Sequence, residues 1–165
     1  MRDRPDGWSS LHTSSADGTF ESVQRARSTR PAVERSDHGA RVLGLRYWRE
    51  TVRASWGVVH CRQEPHGVEL RLLKHGPVLL SFRPAETSCD DERVSCTYAI
   101  SGGLLARREG GVLILSQTGR DEVELRTTVT GYAPRLGATL GFLQRRIHAT
   151  VSRRYFARLI SETRP

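Results

Sequence analysis

The sequence predicts an α+β fold, an antiparallel sheet of about six strands packed on one long C-terminal amphipathic helix, and three observations predict it. Apolar residues recur at every second position through most of residues 58–130. They recur at every third or fourth position from Leu140 to Leu159. The connections between the alternating stretches are short and carry turn residues, which implies antiparallel neighbours. A sheet with one apolar face needs a cover, and the final helix is the only element long enough to supply it.

Residues 1–39 are rich in Ser, Asp, Arg, Pro and Gly, and Trp8, Leu11, Phe20, Val23 and Val33 are scattered without a period of 2 or 3.6. Such a stretch offers little burial to offset its ordering entropy, so it reads as a flexible polar tail. A single α+β domain is then expected over residues 40–165, because a chain of 165 residues is of one-domain size.

From Arg41, Val42, Leu45, Trp48 and Val52 fall on one side of a helix that runs to about Val52 and gives way to strand near Trp56. Val68, Leu70 and Leu72 alternate with Glu69, Arg71 and Leu73, and Val78, Leu80 and Phe82 follow the turn signal Gly76-Pro77. Asp90-Asp91 reads as a loop. Val94, Cys96, Tyr98 and Ile100 alternate with Ser95, Thr97 and Ala99, the pattern of a strand with one buried face. Gly102-Gly103 ends that strand; this pair and Gly110-Gly111 are turn residues, since no phosphate-loop motif accompanies them. Val112 to Gln117 is nearly all apolar, and Thr118-Gly119-Arg120-Asp121 joins it to Val123, Leu125, Thr127 and Val129. Past Tyr132-Ala133-Pro134, Leu140, Leu143, Ile147, Val151, Tyr155 and Leu159 form the stripe of the long helix, with Arg154 and Arg158 near its edge and placed to pair with acids at the rim.

Composition excludes several classes. The hydrophobic share is 37% and the mean hydropathy −0.48. No window approaches the roughly 18 to 20 apolar residues of a membrane span, and the start lacks a signal-peptide core, so a soluble cytoplasmic protein is expected. Cys61, Cys89 and Cys96 are odd in number and lack CxxC spacing, which argues for reduced thiols and against a disulfide framework or a zinc site. The net charge of +8 is uneven: residues 1–40 hold six Arg against six acids, and residues 137–165 six Arg against one Glu. All the basic residues but Lys74 are Arg, a bias that a GC-rich genome explains more simply than selection for phosphate contacts. Nucleic acid is therefore disfavoured as a partner, and a homodimer is left open.

The order of elements from Arg41 to Glu162, and above all Leu143-Gln144-Arg145-Arg146-Ile147-His148 through Ser152-Arg153-Arg154-Tyr155-Phe156, resembles the helix-grip folds of the START and polyketide-cyclase-like superfamily (SRPBCC), including actinobacterial members with arginine-rich final helices. The resemblance implies a curved sheet wrapped around the last helix with a ligand cavity between them. It carries over no catalytic signature and no cofactor. Members usually begin with a strand and two short helices; the missing strand is sought in Glu34 to Leu43, the alternative being a small closed β-barrel with a lid helix.

Two candidates for proton transfer follow. Tyr98 lies mid-strand on an inward stripe with a hydroxyl of useful reach, and His60 shares a strand face with Trp56 and Val58 and, if that face looks inward, brings an imidazole suited to general acid or base work. Cys96 and Thr127 share the inward faces, Trp48, Trp56 and Tyr132 stand near element ends where aromatics frame a pocket mouth, and Ile147 belongs to the helix stripe; these are the candidate ligand contacts. Against them stands ordinary core packing. Cys89, among acidic residues, makes a poor nucleophile. His148, to the side of the stripe, is given little weight, and no histidine pair has metal-ligand spacing. The leading expectation is binding of an apolar small molecule, with a cofactor-independent cyclase of natural-product biosynthesis as its enzymatic version. The alternative is a non-enzymatic module whose basic final helix binds an acidic protein or nucleic acid, with steep salt dependence.

Overall fold

The structure, a computed structural model, describes residues 5–135 and 138–162, with the side chains of the last helix from Gln144 onward. In chain order the elements are β1 (Ser9–Ser14), β2 (Phe20–Ser28), α1 (Asp37–Ala54), β3 (Val59–Glu64), β4 (Gly67–Leu72), β5 (Val78–Phe82), β6 (Glu86–Cys89), β7 (Arg93–Gly102), β8 (Val112–Thr118), β9 (Val123–Tyr132) and α2 (Ala138–Ser161). The nine strands form one open antiparallel sheet in the order β1-β2-β9-β8-β7-β5-β4-β3, with β6 paired to β7. Bulges between Phe20 and Ser22, Leu70 and Arg71, and Ser81 and Phe82 break the register and bend the strands. α1 packs over β3, β6, β7 and β8, α2 over β2, and the two helices pack on each other. The fold is therefore α+β with a long C-terminal helix as expected, and the sheet is open rather than a closed barrel.

Within the stretch expected to be a flexible tail, residues 9–14 and 20–28 instead form two strands of the sheet. β2 pairs along its length with β9, and β1 pairs with β2. Phe20, Ser22, Gln24, Ala26 and Ser28 are buried in strict alternation with exposed Glu21, Arg25 and Arg27, so the period of two was present. It escapes a hydrophobicity count because three of the five inward residues are polar. Trp8 meets Phe156 edge to face at 6.0 Å between ring centroids. The segment after β2 is tied down by buried Gln117, whose Oε1 accepts from the backbone N–H of Ala32 (2.6 Å) and Val33 (3.0 Å) while its Nε2 donates to Val33 O (2.9 Å).

The first helix is longer than its periodicity suggests, and it occupies the stretch Glu34 to Leu43 where a strand was sought. Ser36 caps it: its hydroxyl accepts from Gly39 N–H at 3.0 Å, and Asp37 places a negative charge in the first turn. Its buried face is Ala40, Leu43, Gly44, Tyr47 and Trp48, one step around from the expected stripe, so that Leu45 is exposed. Gly44 permits that face to touch the sheet, since a Cβ there would overlap the Tyr98 hydroxyl. Glu50, only 4% exposed, accepts from Arg53 of its own helix and from Arg158 of α2, each at 2.8 Å, which seals the seam between the helices. The pairing expected of Arg158 is thus present.

On α2 the buried side chains are Val151, Ser152, Tyr155, Phe156 and Leu159. Leu140 and Leu143 lie outside the described side chains. Ile147, expected to be buried on the same stripe, is 53% exposed. Beneath that turn of α2 the sheet and helix part, and the space between them is the cavity described next.

Candidate functional site

The cavity has a volume of about 220 Å³ and lies between the sheet, α1 and the middle of α2. Strands supply Phe20, Val59, Leu70, Leu79, Leu80, Phe82, Ile100, Leu113, Val129 and Tyr132, and the loop after β7 supplies Leu105. The helices supply Tyr47, Trp48 and Thr51 from α1 and Gln144, Ile147, His148 and Val151 from α2. No charged side chain stands among these. The wall is built by the alternation of β4, β5, β7, β8 and β9, whose inward positions are aliphatic or aromatic. Its aromatic edge is an interlocked set: Trp48 packs at 4.9 Å on Phe82 and 5.0 Å on Tyr98, Tyr47 at 5.4 Å on Tyr155, and Phe20 at 5.3 Å on Tyr132. Such offset and edge-on contacts fix ring positions beyond what burial alone does.

The Thr51 hydroxyl on this wall is spent on its own helix, donating to Tyr47 O at 3.0 Å; polar groups meet the wall at two further places. Tyr132 donates to Leu105 O at 2.7 Å and accepts from Gln144 Nε2 at 3.0 Å, so its hydroxyl is satisfied; burial pushes it up to about 12. At the other, Tyr47 Oη and His148 Nδ1 are 2.9 Å apart. Burial, with a smaller push from His12, lowers His148 to about 4, so the imidazole is neutral at pH 7. Burial likewise raises Tyr47, opposed by a hydrogen bond with Ser152. Ser152 Oγ is 2.9 Å from Thr127 Oγ1, which donates to Gln24 Oε1 at 2.9 Å; Gln24 Nε2 reaches Ser22 Oγ at 2.5 Å, and Ser22 reaches His12 Nδ1 at 2.9 Å. One buried polar chain therefore runs from Ser152 on α2 through Thr127, Gln24 and Ser22 to His12 on β1.

The candidate residues separate on this geometry. Trp48, Tyr132 and Ile147 line the cavity, Ile147 at its exposed side. Trp56 does not: it is 86% exposed on the turn after α1, with φ +56. Thr127 is one link of the buried polar chain rather than part of the wall. Tyr98 is turned away beneath α1, its hydroxyl beside Gly44 and Cys96, and burial followed by Cys96 raises it. Cys96 is fully buried in that same contact, and burial raises it too. His60 sits on β3 opposite Arg71, outside the cavity wall. Burial pushes the Cys61 thiol up to about 11, which removes it as a nucleophile at neutral pH. Among the described residues no three metal-ligating side chains converge.

Sequence reasoning passed over Tyr47 and gave His148 little weight. Their signal was the spacing Gln144, His148, Ser152, a polar residue on every fourth position of a helix directly beside the apolar stripe.

No family profile and no curated protein matches the chain. Solved structures do. A conserved protein of unknown function from Enterococcus faecalis, EF2215, aligns over 94% of this chain and 80% of its own at 7% identity and a TM-score of 0.48. The lipid transfer and protein localization domain of human StarD13 aligns over 97% and 90% at 12% identity and a TM-score of 0.46. CalU16 from Micromonospora echinospora aligns over 97% and 79% at 10% identity and a TM-score of 0.41. No described helix of this chain is long and apolar enough to cross a membrane.

Proposed function

We propose that the chain binds a small, uncharged, largely hydrophobic molecule in the cavity between sheet and α2. The observation that carries this is the cavity itself: about 220 Å³ walled by apolar and aromatic side chains, in a core whose other large residues are fully buried. Protein interiors are close-packed, and a void of this size is costly unless something occupies it. An apolar cavity of about 150 Å³ accepts benzene, and drug-sized ligands occupy about 300–1,000 Å³, so the occupant is a compact molecule somewhat larger than benzene. A cyclase acting on a polyketide-length substrate needs more room, and its expected proton-transfer groups, Tyr98 and His60, stand off the wall. That enzymatic version is therefore the weaker form of the proposal.

The test is native mass spectrometry of protein from its own host, followed by thermal shifts with compact apolar compounds. A ligand bound only to the native state raises the melting temperature by mass action. Val151→Phe fills the cavity from α2 and is expected to abolish those shifts while the protein still melts cooperatively. Shifts that persist unchanged in Val151→Phe place the ligand elsewhere and refute the proposal.

A further inference from the structure

At the end of the sheet where β3 begins and β4 stops, the chain displays large apolar side chains to solvent. Trp56 is 86% and Leu73 57% exposed, and Val58, Leu72 and Leu104 are exposed with them. Backbone hydrogen bonds set their turns side by side: Leu73 N–H donates to Val58 O at 2.7 Å, Leu72 N–H to Pro77 O at 3.0 Å, and Leu104 N–H to Val78 O at 3.0 Å. The five therefore form one ridge across neighbouring turns, unlike apolar residues scattered singly over a surface.

Two of the five are held there against local preference. Among the described residues only Trp56 and Leu73 combine a side chain with positive φ, +56 and +57, a backbone in which Cβ crowds the following carbonyl. Val58 N–H donates to Ser55 O at 3.0 Å and closes a turn whose two central residues, Trp56 and Gly57, are both left-handed. Such a turn ordinarily holds Asn-Gly or Gly-Gly. A Cβ added at Gly57 would meet nothing within 4 Å, so the turn stands clear of the rest of the protein, and the Trp56 ring gains no burial in exchange for its strained backbone. Strain of this kind gathers where a surface is used.

Charge points to what the ridge meets. Residues 53–60 and 71–78, which build the α1–β3 and β4–β5 turns, contain Arg53, Arg71 and Lys74 and no acid. Arg53 and Arg71 are engaged by Glu50 and Glu69. Lys74, the one lysine of the chain, is exposed beside Leu73 and has no acidic partner among the described residues. We propose that this ridge docks the protein on the interface of a bilayer containing anionic phospholipid, Trp56 and Leu73 entering the boundary between headgroups and acyl chains and Lys74 meeting the phosphates. Tryptophan is favoured at that depth, and a lysine beside it gains from the negative surface potential. A protruding tip suits a fluid interface, whereas a stable protein partner requires about 800 Å² a side, more than one tryptophan and four aliphatic residues provide. The proposal is independent of any ligand in the cavity.

The test is co-sedimentation of the full chain with vesicles of phosphatidylcholine and phosphatidylglycerol in equal parts, against phosphatidylcholine alone. Wild type is expected to bind the mixed vesicles several-fold tighter. Trp48 is buried and Trp8 is packed on Phe156, so a blue shift of tryptophan fluorescence on vesicles, with quenching by lipid brominated high on its acyl chains, reports Trp56. Trp56→Gly suits the left-handed backbone and is expected to melt at or above the wild-type temperature while binding the mixed vesicles about tenfold more weakly or worse. Lys74→Glu is expected to weaken binding to the mixed vesicles about fivefold or more and to leave binding to phosphatidylcholine alone unchanged. Wild type that neither sediments with vesicles nor changes its fluorescence, or Trp56→Gly that binds as wild type does, overturns the inference. Self-association in sedimentation velocity that Trp56→Gly abolishes, without vesicle binding, makes the occupant a second copy and overturns it as well. None of these results bears on the cavity, which stands or falls by the thermal shifts with apolar compounds.

Discussion

Gly44 faces the sheet from the middle of α1, and replacing it with alanine tests where Tyr98 points. A Cβ at this position would overlap the Tyr98 hydroxyl and come within 3.0 Å of both Tyr98 Cζ and Cys96 Sγ. The ring cannot retreat, being held by Trp48 at 5.0 Å and Phe82 at 6.4 Å. Overpacking of this kind costs about 1–3 kcal/mol, and the fixed ring puts it in the upper half of that range. Exchanging glycine for alanine inside a helix returns about 1 kcal/mol. The net expectation for Gly44→Ala is a loss of about 1–2 kcal/mol, a fall in melting temperature of about 2–8 °C for a chain of this size. Removing the hydroxyl in Tyr98→Phe relieves the worst of the overlap and leaves the 3.0 Å contacts with the ring carbon and Cys96 Sγ. Urea denaturation of wild type, both single variants and the double variant is then expected to give a coupling energy of about 1 kcal/mol or more, with the double variant more stable than the single costs predict. Additivity within about 0.5 kcal/mol would mean that the Tyr98 hydroxyl lies away from α1, and the assignment of Tyr98 to the helix contact would fall.

Three further outcomes are expected. Because His148 titrates near 4 when folded and near 6.5 when unfolded, the unfolded chain binds more protons between these values, so stability is full above about pH 6.5 and falls by up to about 3 kcal/mol as pH drops to about 4. Chemical denaturation across that window should show this slope, partly flattened in His148→Leu; the lowered His12 adds in the same direction, while Asp17 and Asp90 titrate below the window. Gln117→Leu strips the buried N–H groups of Ala32 and Val33 and the carbonyl of Val33 of their partner, each worth about 1–3 kcal/mol, and should show as rapid hydrogen exchange at residues 32 and 33. A chain begun at Ser36 lacks β1 and β2, leaves the backbone edge of β9 unpaired, and should lose its cooperative melting transition by calorimetry.

The parts of the fold legible from sequence were those whose burial is apolar. Val94, Cys96, Ile100, Leu125 and Val129 occupy the inward positions that their alternation marks, and Val151, Tyr155 and Leu159 the buried side of α2. The parts that were not legible bury polar groups against one another. β2 presents Ser22, Gln24 and Ser28 to the core, and β6 is a four-residue polar strand, so neither shows a hydrophobic period. For the site the same distinction holds: Trp48 and Tyr132 stood out as large aromatic groups near element ends and Ile147 as a member of the helix stripe, whereas Tyr47 and His148 depend on a hydrogen bond between residues 101 positions apart. Tyr98 was misplaced because an inward strand position does not say whether a helix or a void lies opposite. Gly44 decides that, and its relation to Tyr98 exists only in three dimensions.

The pairing of β2 with β9 bears on how the chain is made. β2 is complete by Ser28, yet its partner ends at Tyr132. During synthesis the first two strands therefore leave the ribosome about a hundred residues before the strand they pair with, and contacts of such long sequence separation form slowly. In that interval they travel as a polar hairpin. Its inward residues are mostly Ser and Gln, and β1 is Ser-Ser-Leu-His-Thr-Ser. A hairpin of aliphatic residues waiting that long would be a template for aggregation. The hydroxyl and amide groups that complete the core network in the finished protein keep the nascent chain hydrated until β9 arrives.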